Sequence, residues 1–276
     1  MDFVQRNVML ISTPLLTQDS GEASQLELQI EGEVKGKCTL LIVDSEGEIN
    51  DLDIYEPDNF LLCNLFFKNM EQIAIEKRLN TIYLTISHKT MGNLGKISTI
   101  EQAISTLNWN LKTSQQIFLF DGVKMDTDQW IRTNHLNTDF SIDNLTTLTS
   151  QEKEEIKQGK NIWYPDRFDP FQYQTIGRNS LVLRYKGQVI GWCITELASE
   201  NILMYDNLFV KEQFWNMARS ISLFGTSLRM QCEESDIRYI TFTVHGDNTP
   251  LLKILHKKTA DYIVDFKELR LYKLAL

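Results

Sequence analysis

The chain has 276 residues, of which 42% are hydrophobic, 24% charged and 10% aromatic, the balance of a folded globular protein rather than a disordered or fibrous one. Lys and Arg total 28 against 37 for Asp and Glu, so a net charge of -9 disfavours nucleic acid or an anionic membrane as main partner and suits a cationic or amine-bearing one. No apolar run approaches the roughly 20 residues of a membrane-crossing helix. The opening MDFVQRNVMLIST lacks an uncharged stretch with a small-residue cleavage site, so the expected location is the cytoplasm. Cys38, Cys63, Cys193 and Cys232 are scattered without metal-ligand spacing, which predicts reduced core thiols and no metal.

From the N-terminus the pattern reads as three strands, LELQIEG, GKCTLLIVD and INDLDIYE, the first two forming a hairpin through Lys35 and Gly36. A helix follows from about Asn59, where Pro57 and Asp58 signal a start and Leu62, Phe66, Met70 and Ile73 form an apolar stripe. The strand TIYLTIS, a helix over IEQAISTLNW and a strand SQQIFLF close a first unit near residue 125. A second unit begins with a strand FSIDNLTTL, a helix at SQEKEEIKQ and an aromatic, proline-bearing loop WYPDRFDPFQYQ. It continues with SLVLRY, a hairpin through Lys186 and Gly187, QVIGWCITEL, NILMYDNLFV and a helix across 220 to 234. RYITFTVH, a short helix from NTPLLKIL, and the strands DYIVDF and RLYKL complete it. Both halves thus run hairpin, strand, helix, strand, with the last strand ending near His88 or His245, so two related domains are expected, 1–125 and 126–276.

The segment from Phe140 to Leu276 resembles the Gcn5-related N-acetyltransferase (GNAT) superfamily. The resemblance rests on YITFTVHGDNTPLLKIL, with Asn248 opening a helix, and on GQVIGWCITE followed by NILMYDNLFV. It implies an α+β fold of two GNAT-like domains, each a mixed, mostly antiparallel twisted sheet flanked by helices, with the first degenerate. It also implies acyl transfer from a pantetheine thioester, as acyl-CoA or on an acyl carrier protein, to a primary amine, without a metal. A pantetheine arm can bond a splayed strand edge near Leu208 and Val210 while a helix N-terminus near Ser220 offers N–H groups to phosphate. Aligned on Gly225, the resemblance starts the phosphate-binding turn at Ser220, with Arg219 one position before the expected basic or amide residue and Thr226 just after the glycine; Ser220 and Ser222 can donate to phosphate or cap the helix. That turn departs from the family pattern: SISLFG carries Leu223 where a glycine is usual. In the first half the corresponding segment EPDNFLLCN has no glycine and an acidic Asp58, which points to a scaffold or acceptor-docking domain. WYPDRFDPF and SLVLRYKGQVIGW also look like the cyanobacterial GNAT-like maturases that attach fatty acyl groups to Lys or ornithine side chains of ribosomal peptides.

An ammonium acceptor must lose a proton before its lone pair can attack a thioester. Asp206 is the candidate base, since strict alternation puts it on the face of Ile202, Met204, Leu208 and Val210, where desolvation raises a carboxylate's pKa. A bulge would reset that parity and turn it outward. The family's thiolate-protonating Tyr position falls on Leu255, and His256 beside it is the substitute if the helix is offset by one residue; a surface His beside Lys257 and Lys258 is the alternative. His245 and Tyr205 have less support, Tyr205 lying on the face opposite Asp206. Thr226 can donate to phosphate or to its own helix backbone. The aromatic loop is either the rim of an acyl or acceptor groove or a packing lid. A non-catalytic GNAT-like binding module is the competing function, and the absence of a G-x-S-x-G turn argues against a hydrolase.

Overall fold

The computed structural model describes residues 8–15, 22–88, 98–133, 136–173, 177–234 and 236–276. The chain forms two compact units, one of 1–115 with 245–247 and 267–276, the other of 116–244 with 248–266. Packing thus divides the chain at 115/116 where the sequence pattern suggested 125/126, and the final ten residues join the first unit. Residues 1–7 of the opening segment and Gln174 of the aromatic loop lie outside the described residues.

The first unit holds β1 (Val8–Leu15), β2 (Glu22–Ile30), β3 (Glu33–Val43), β4 (Glu46–Ile54), α1 (Phe60–Glu76), β5 (Thr81–His88) and α2 (Thr99–Ser105). The next strand, β6 (Asn110–Asp121), passes from the first unit into the second. There follow α3 (Gly122–Asp126), α4 (Gln129–Arg132), β7 (Phe140–Asn144), α5 (Ser150–Gln158), β8 (Leu181–Tyr185), β9 (Gln188–Ser199) and β10 (Ile202–Val210). The chain ends with α6 (Arg219–Glu234), β11 (Tyr239–His245), α7 (Thr249–Lys258) and β12 (Ile263–Ala275). DYIVDF and RLYKL, expected as two strands, are joined from Ile263 in the single strand β12, whose residues 268–275 pair antiparallel with β5.

In the first unit the strands lie in the order β1-β2-β3-β4-β5-β12. The turn between β2 and β3 is at Glu31 and Gly32, both with positive φ, rather than at Lys35 and Gly36, which lie inside β3. Gly36 has another role: a Cβ there would stand 3.2 Å from the Phe66 ring, so it lets α1 approach the sheet. Asn59 caps α1 by accepting from Leu62 N, and Leu62, Phe66, Phe67 and Met70 are buried. Each fully buried side chain of this size contributes roughly 1.5–3 kcal/mol. The tail of β12 delivers Leu274 to this core. It also brings Arg270, whose guanidinium bonds Glu101 Oε1 at 2.9 Å and Glu268 Oε2 at 2.9 Å, while Tyr272 donates to Glu101 Oε1 at 2.6 Å.

The second unit's strands lie in the order β6-β11-β10-β9-β8-β7. The tight turn at Lys186 (φ 49) and Gly187 (φ 80) joins β8 to β9 as the sequence indicated. FSIDNLTTL is a strand only to Asn144, whose side chain then accepts from Thr146 N and opens a 3-10 turn. A capping box between Thr149 and Glu152 starts α5, and Arg184 of β8 grips Glu152 at 2.7 and 3.1 Å, holding its carboxyl down at about 2. Both units repeat one order. In each, an antiparallel hairpin leads to a bulged strand, a helix and a parallel strand: β2-β3-β4-α1-β5 and β8-β9-β10-α6-β11.

Candidate active site

The strand β10 explains most of the geometry. Its parallel pairing with β11 covers only Ile202–Tyr239, Leu203–Ile240 and Met204–Thr241. Beyond Met204 the pairing stops while β10 runs on to Val210, so the two strands part there. On its other edge β10 stays paired with β9, but the register slips between Tyr205 and Asn207, which oppose Thr195 and Ile194. Asp206 is the extra residue of this bulge.

The bulge leaves Asp206 partly buried rather than fully exposed. Its Oδ2 is buried and has no hydrogen-bond partner among the described residues. Burial, followed by the charge of Glu196, raises its carboxyl from 3.8 to about 6, so it exchanges a proton close to neutrality. The bulge resets the alternation beyond it: Leu208 and Val210 oppose Cys193 and Gly191, so they share the face of Tyr205, which opposes Thr195, and simple alternation from Asp206 does not reach them. Tyr205 points to α6, with its ring 5.0 Å from Phe224.

The start of α6 is built differently from the expected phosphate turn. Ala218, with a positive φ, precedes the first helical residue Arg219, and Ser222 N already bonds Ala218 O. SISLFG lies inside this helix, as the pattern across 220 to 234 indicated. Leu223 is fully buried. Gly225 abuts α4: a Cβ on it would stand 2.8 Å from Ile131 Cγ2. Thr226 donates to Ser222 O at 2.9 Å, the internal bond that competes with any ligand role. Arg219 and Ser220 remain at the open end of the helix, where backbone N–H groups lack intrahelical acceptors. The Arg219 guanidinium lies over the Phe140 ring at 4.1 Å.

On α7, Leu255 is buried and the proton-transfer candidate His256 turns inward. The His256 ring packs between Phe118 (5.3 Å) and Phe266 (5.7 Å), and its Nε2 lies 2.8 Å from Gln116 Oε1. It is thus held by packing rather than displayed beside Lys257 and Lys258. Asn248 caps α7, accepting from Leu251 N at 3.4 Å, and His245 is exposed in the first unit. The aromatic loop is docked on the sheet: Trp163, Tyr164 and Phe168 pack against Trp192 and Phe209, and Trp192 Nε1 donates to Phe168 O at 2.9 Å. Two further features have a weaker sequence signal. Lys211, immediately after β10, holds its ammonium 3.9 Å above Trp163, and burial lowers its pKa. Asn207 is a carboxamide only 2% exposed; its one trace in the sequence is a second polar residue beside Asp206 inside an apolar strand.

Among the described residues no group of His, Cys, Asp and Glu is arranged to hold a metal ion, and no helix is long and apolar enough to cross a membrane. No family model matches the sequence, and no curated protein matches it. Solved structures do. A tandem GNAT protein from the clavulanic acid biosynthesis pathway superposes with a TM-score of 0.54 at 10% identity, covering 93% of this chain and 83% of that one. The fold is GNAT-like. A Gcn5-related N-acetyltransferase from Sphaerobacter thermophilus gives a TM-score of 0.52 at 10% identity, covering 91% of this chain and 80% of that one. At such identity the likeness fixes the architecture and leaves substrates and residue roles to the site itself.

Proposed function

We propose that the second unit is an N-acyltransferase moving an acyl group from a pantetheine thioester to a primary amine. The observation that carries this is the parting of β10 from β11 beyond Met204 and Thr241, with Asp206 desolvated in the bulge beside it. An opened strand edge suits the amides of a pantetheine arm, as strand addition does in peptide recognition. Asp206 suits removal of a proton from the acceptor ammonium, since its pKa near 6 leaves it mostly ionised at neutral pH yet more basic than an ordinary aspartate. The freed nitrogen attacks the thioester carbonyl carbon. The C–S bond then breaks, the thiolate takes up the second proton from nitrogen, and an amide and a thiol leave. His256 is the proposed relay for that second proton, although its Nε2 faces Gln116.

Arg219, Ser220 and the open end of α6 are the proposed phosphate contacts, with Leu208 and Val210 on the arm's path. The tight packing of Gly225 and Leu223 and the internal bond of Thr226 leave less contact for a pyrophosphate than a glycine turn provides. A single phosphate on a carrier-borne arm needs less contact, so a carrier-protein donor is proposed alongside acyl-CoA. The acceptor class proposed is a Lys or ornithine side chain of a peptide, with fatty acylation as in the maturases the sequence resembles. The first unit is proposed as the docking or scaffold domain. The same packed α6 start favours the second reading, a binding module without turnover.

Thermal denaturation with acetyl-CoA, long-chain acyl-CoA and an acylated carrier protein, followed by thiol release with lysine-containing peptides, separates these readings. Stabilisation with thiol release supports the transferase. Stabilisation without release under any amine supports the binding module, and no stabilisation by any donor refutes the pantetheine site.

A further inference from the structure

Asn207 is 2% exposed, and neither its Nδ2 nor its Oδ1 has a hydrogen-bond partner among the described residues. Buried carboxamides normally have both, because desolvating an amide without replacing its bonds to water is unfavourable. Here the omission is double, and it falls next to Asp206, whose Oδ2 is equally buried and unpartnered. Both residues lie in the part of β10 that runs past its last pair with β11. The register fixes the side of the sheet: Asn207 opposes Ile194, and two residues on Phe209 opposes Trp192. Opposed residues share a face, so Asn207 lies on the face of the docked aromatic loop, while Tyr205, opposite Thr195, lies on the other and packs on α6.

Resting on the transferase reading, we infer that the Asn207 carboxamide is a substrate-binding group that pairs with an extended, amide-bearing arm. Its Nδ2–H donates to an amide carbonyl of that arm, and its Oδ1 accepts from an amide N–H presented on the same side. In an extended peptide the N–H and C=O of one residue point the same way and offer this pair; a pantetheine arm offers it through its two amides. A fatty chain offers neither group, so Asn207 selects the polar connecting arm of donor or acceptor and not the acyl tail. An apolar residue of similar shape relieves the unpartnered amide in the free protein while removing the contact.

The test uses the full chain, its Asn207→Leu and Asn207→Ala variants, and two probes: pantetheine for the donor arm and Nα-acetyl-lysine N-methylamide for a peptide acceptor. The Asn207 side-chain NH2 signal in a nitrogen-proton correlation spectrum, identified by its loss in the variants, reports the contact. The expected result is a shift of that signal with one probe, roughly tenfold weaker binding of that probe by either variant, and a Tm for Asn207→Leu about 2 to 4 °C above wild type. Asn207→Ala, which cannot overpack the site, should melt no lower than wild type. A lower Tm in both variants, or binding of both probes without any shift of the Asn207 signal, overturns the inference. Acetyl-CoA separates the two levels. If it binds wild type and leaves the Asn207 signal unmoved, as do both probes, the amide inference fails and the donor site stands. If only the lysine probe binds and moves the signal, the donor reading fails and the amide contact stands. If nothing binds, both fail.

Discussion

Asp206→Asn should stabilise the protein while slowing transfer. In the folded chain the carboxyl is held at about 6 against an ordinary 3.8, because burial and the charge of Glu196 both disfavour its ionised form. A raised carboxyl pKa means that the folded state retains a proton the unfolded chain releases, so stability is lost as pH climbs from about 4 to 6 and the loss is complete above 6. At 1.36 kcal/mol per pKa unit the loss approaches about 3 kcal/mol, an upper value for a group that relaxation and nearby water partly relieve. The amide keeps the shape and removes the charge. Asp206→Asn should therefore match wild type near pH 4 and exceed it by about 1–3 kcal/mol at pH 7, or about 3–8 °C in Tm. Thermal unfolding of both proteins from pH 4 to 8 measures the difference. In parallel, acyl transfer by wild type should rise with an acidic limb near pH 6 that the variant lacks, because the base works only when ionised. Unfolding curves that stay parallel across this range, or full transfer activity in the variant, refute a desolvated base at the bulge.

Gly225→Ala should lower stability by about 1–2 kcal/mol despite the better helix propensity of alanine, since its Cβ would meet Ile131 Cγ2 at 2.8 Å. Calorimetric unfolding checks this, and an unchanged or higher Tm would show that α4 yields easily there. Removal of residues 267–276 should strip the first unit of the strand paired with β5 and leave Glu101 buried without Arg270 or Tyr272. Arg270→Leu alone should cost about 3 kcal/mol, the scale for breaking a buried pair by one partner. Limited proteolysis should then cut the first unit well before the second, and equal resistance of the shortened and full chains would contradict the assignment of β12 to that unit.

The repeated order of hairpin, strand, helix and strand was legible because each element carries its own local signal. The α1 stripe from Leu62 to Met70 follows helical spacing, and Lys186–Gly187 has the positive-φ pair of a tight hairpin. Lys35–Gly36 carried the same dipeptide and no turn; there the glycine answers a ring packed from α1, a contact 30 residues away in sequence. Asp206 stood out as a lone acid in an apolar strand, yet alternation alone mispaired it with Leu208 and Val210, because a bulge changes parity without changing composition. Gly225 looked like half of a phosphate turn, and only the position of Ile131 reveals its packing role. The burial of Asn207 and the inward turn of His256 depend on neighbours from β9 and β6, so no local pattern announces them. The membership of the last ten residues in the first unit is likewise a long-range fact.

Amide hydrogen exchange with and without an acyl-pantetheine donor tests the open strand edge most directly. The amides of residues 205–210 and those at the start of α6 should exchange more slowly in the presence of acetyl-CoA or an acylated carrier protein, while β2 to β4 remain unchanged. Unaltered exchange along 205–210 at donor concentrations that stabilise the protein would place the donor elsewhere and contradict the account.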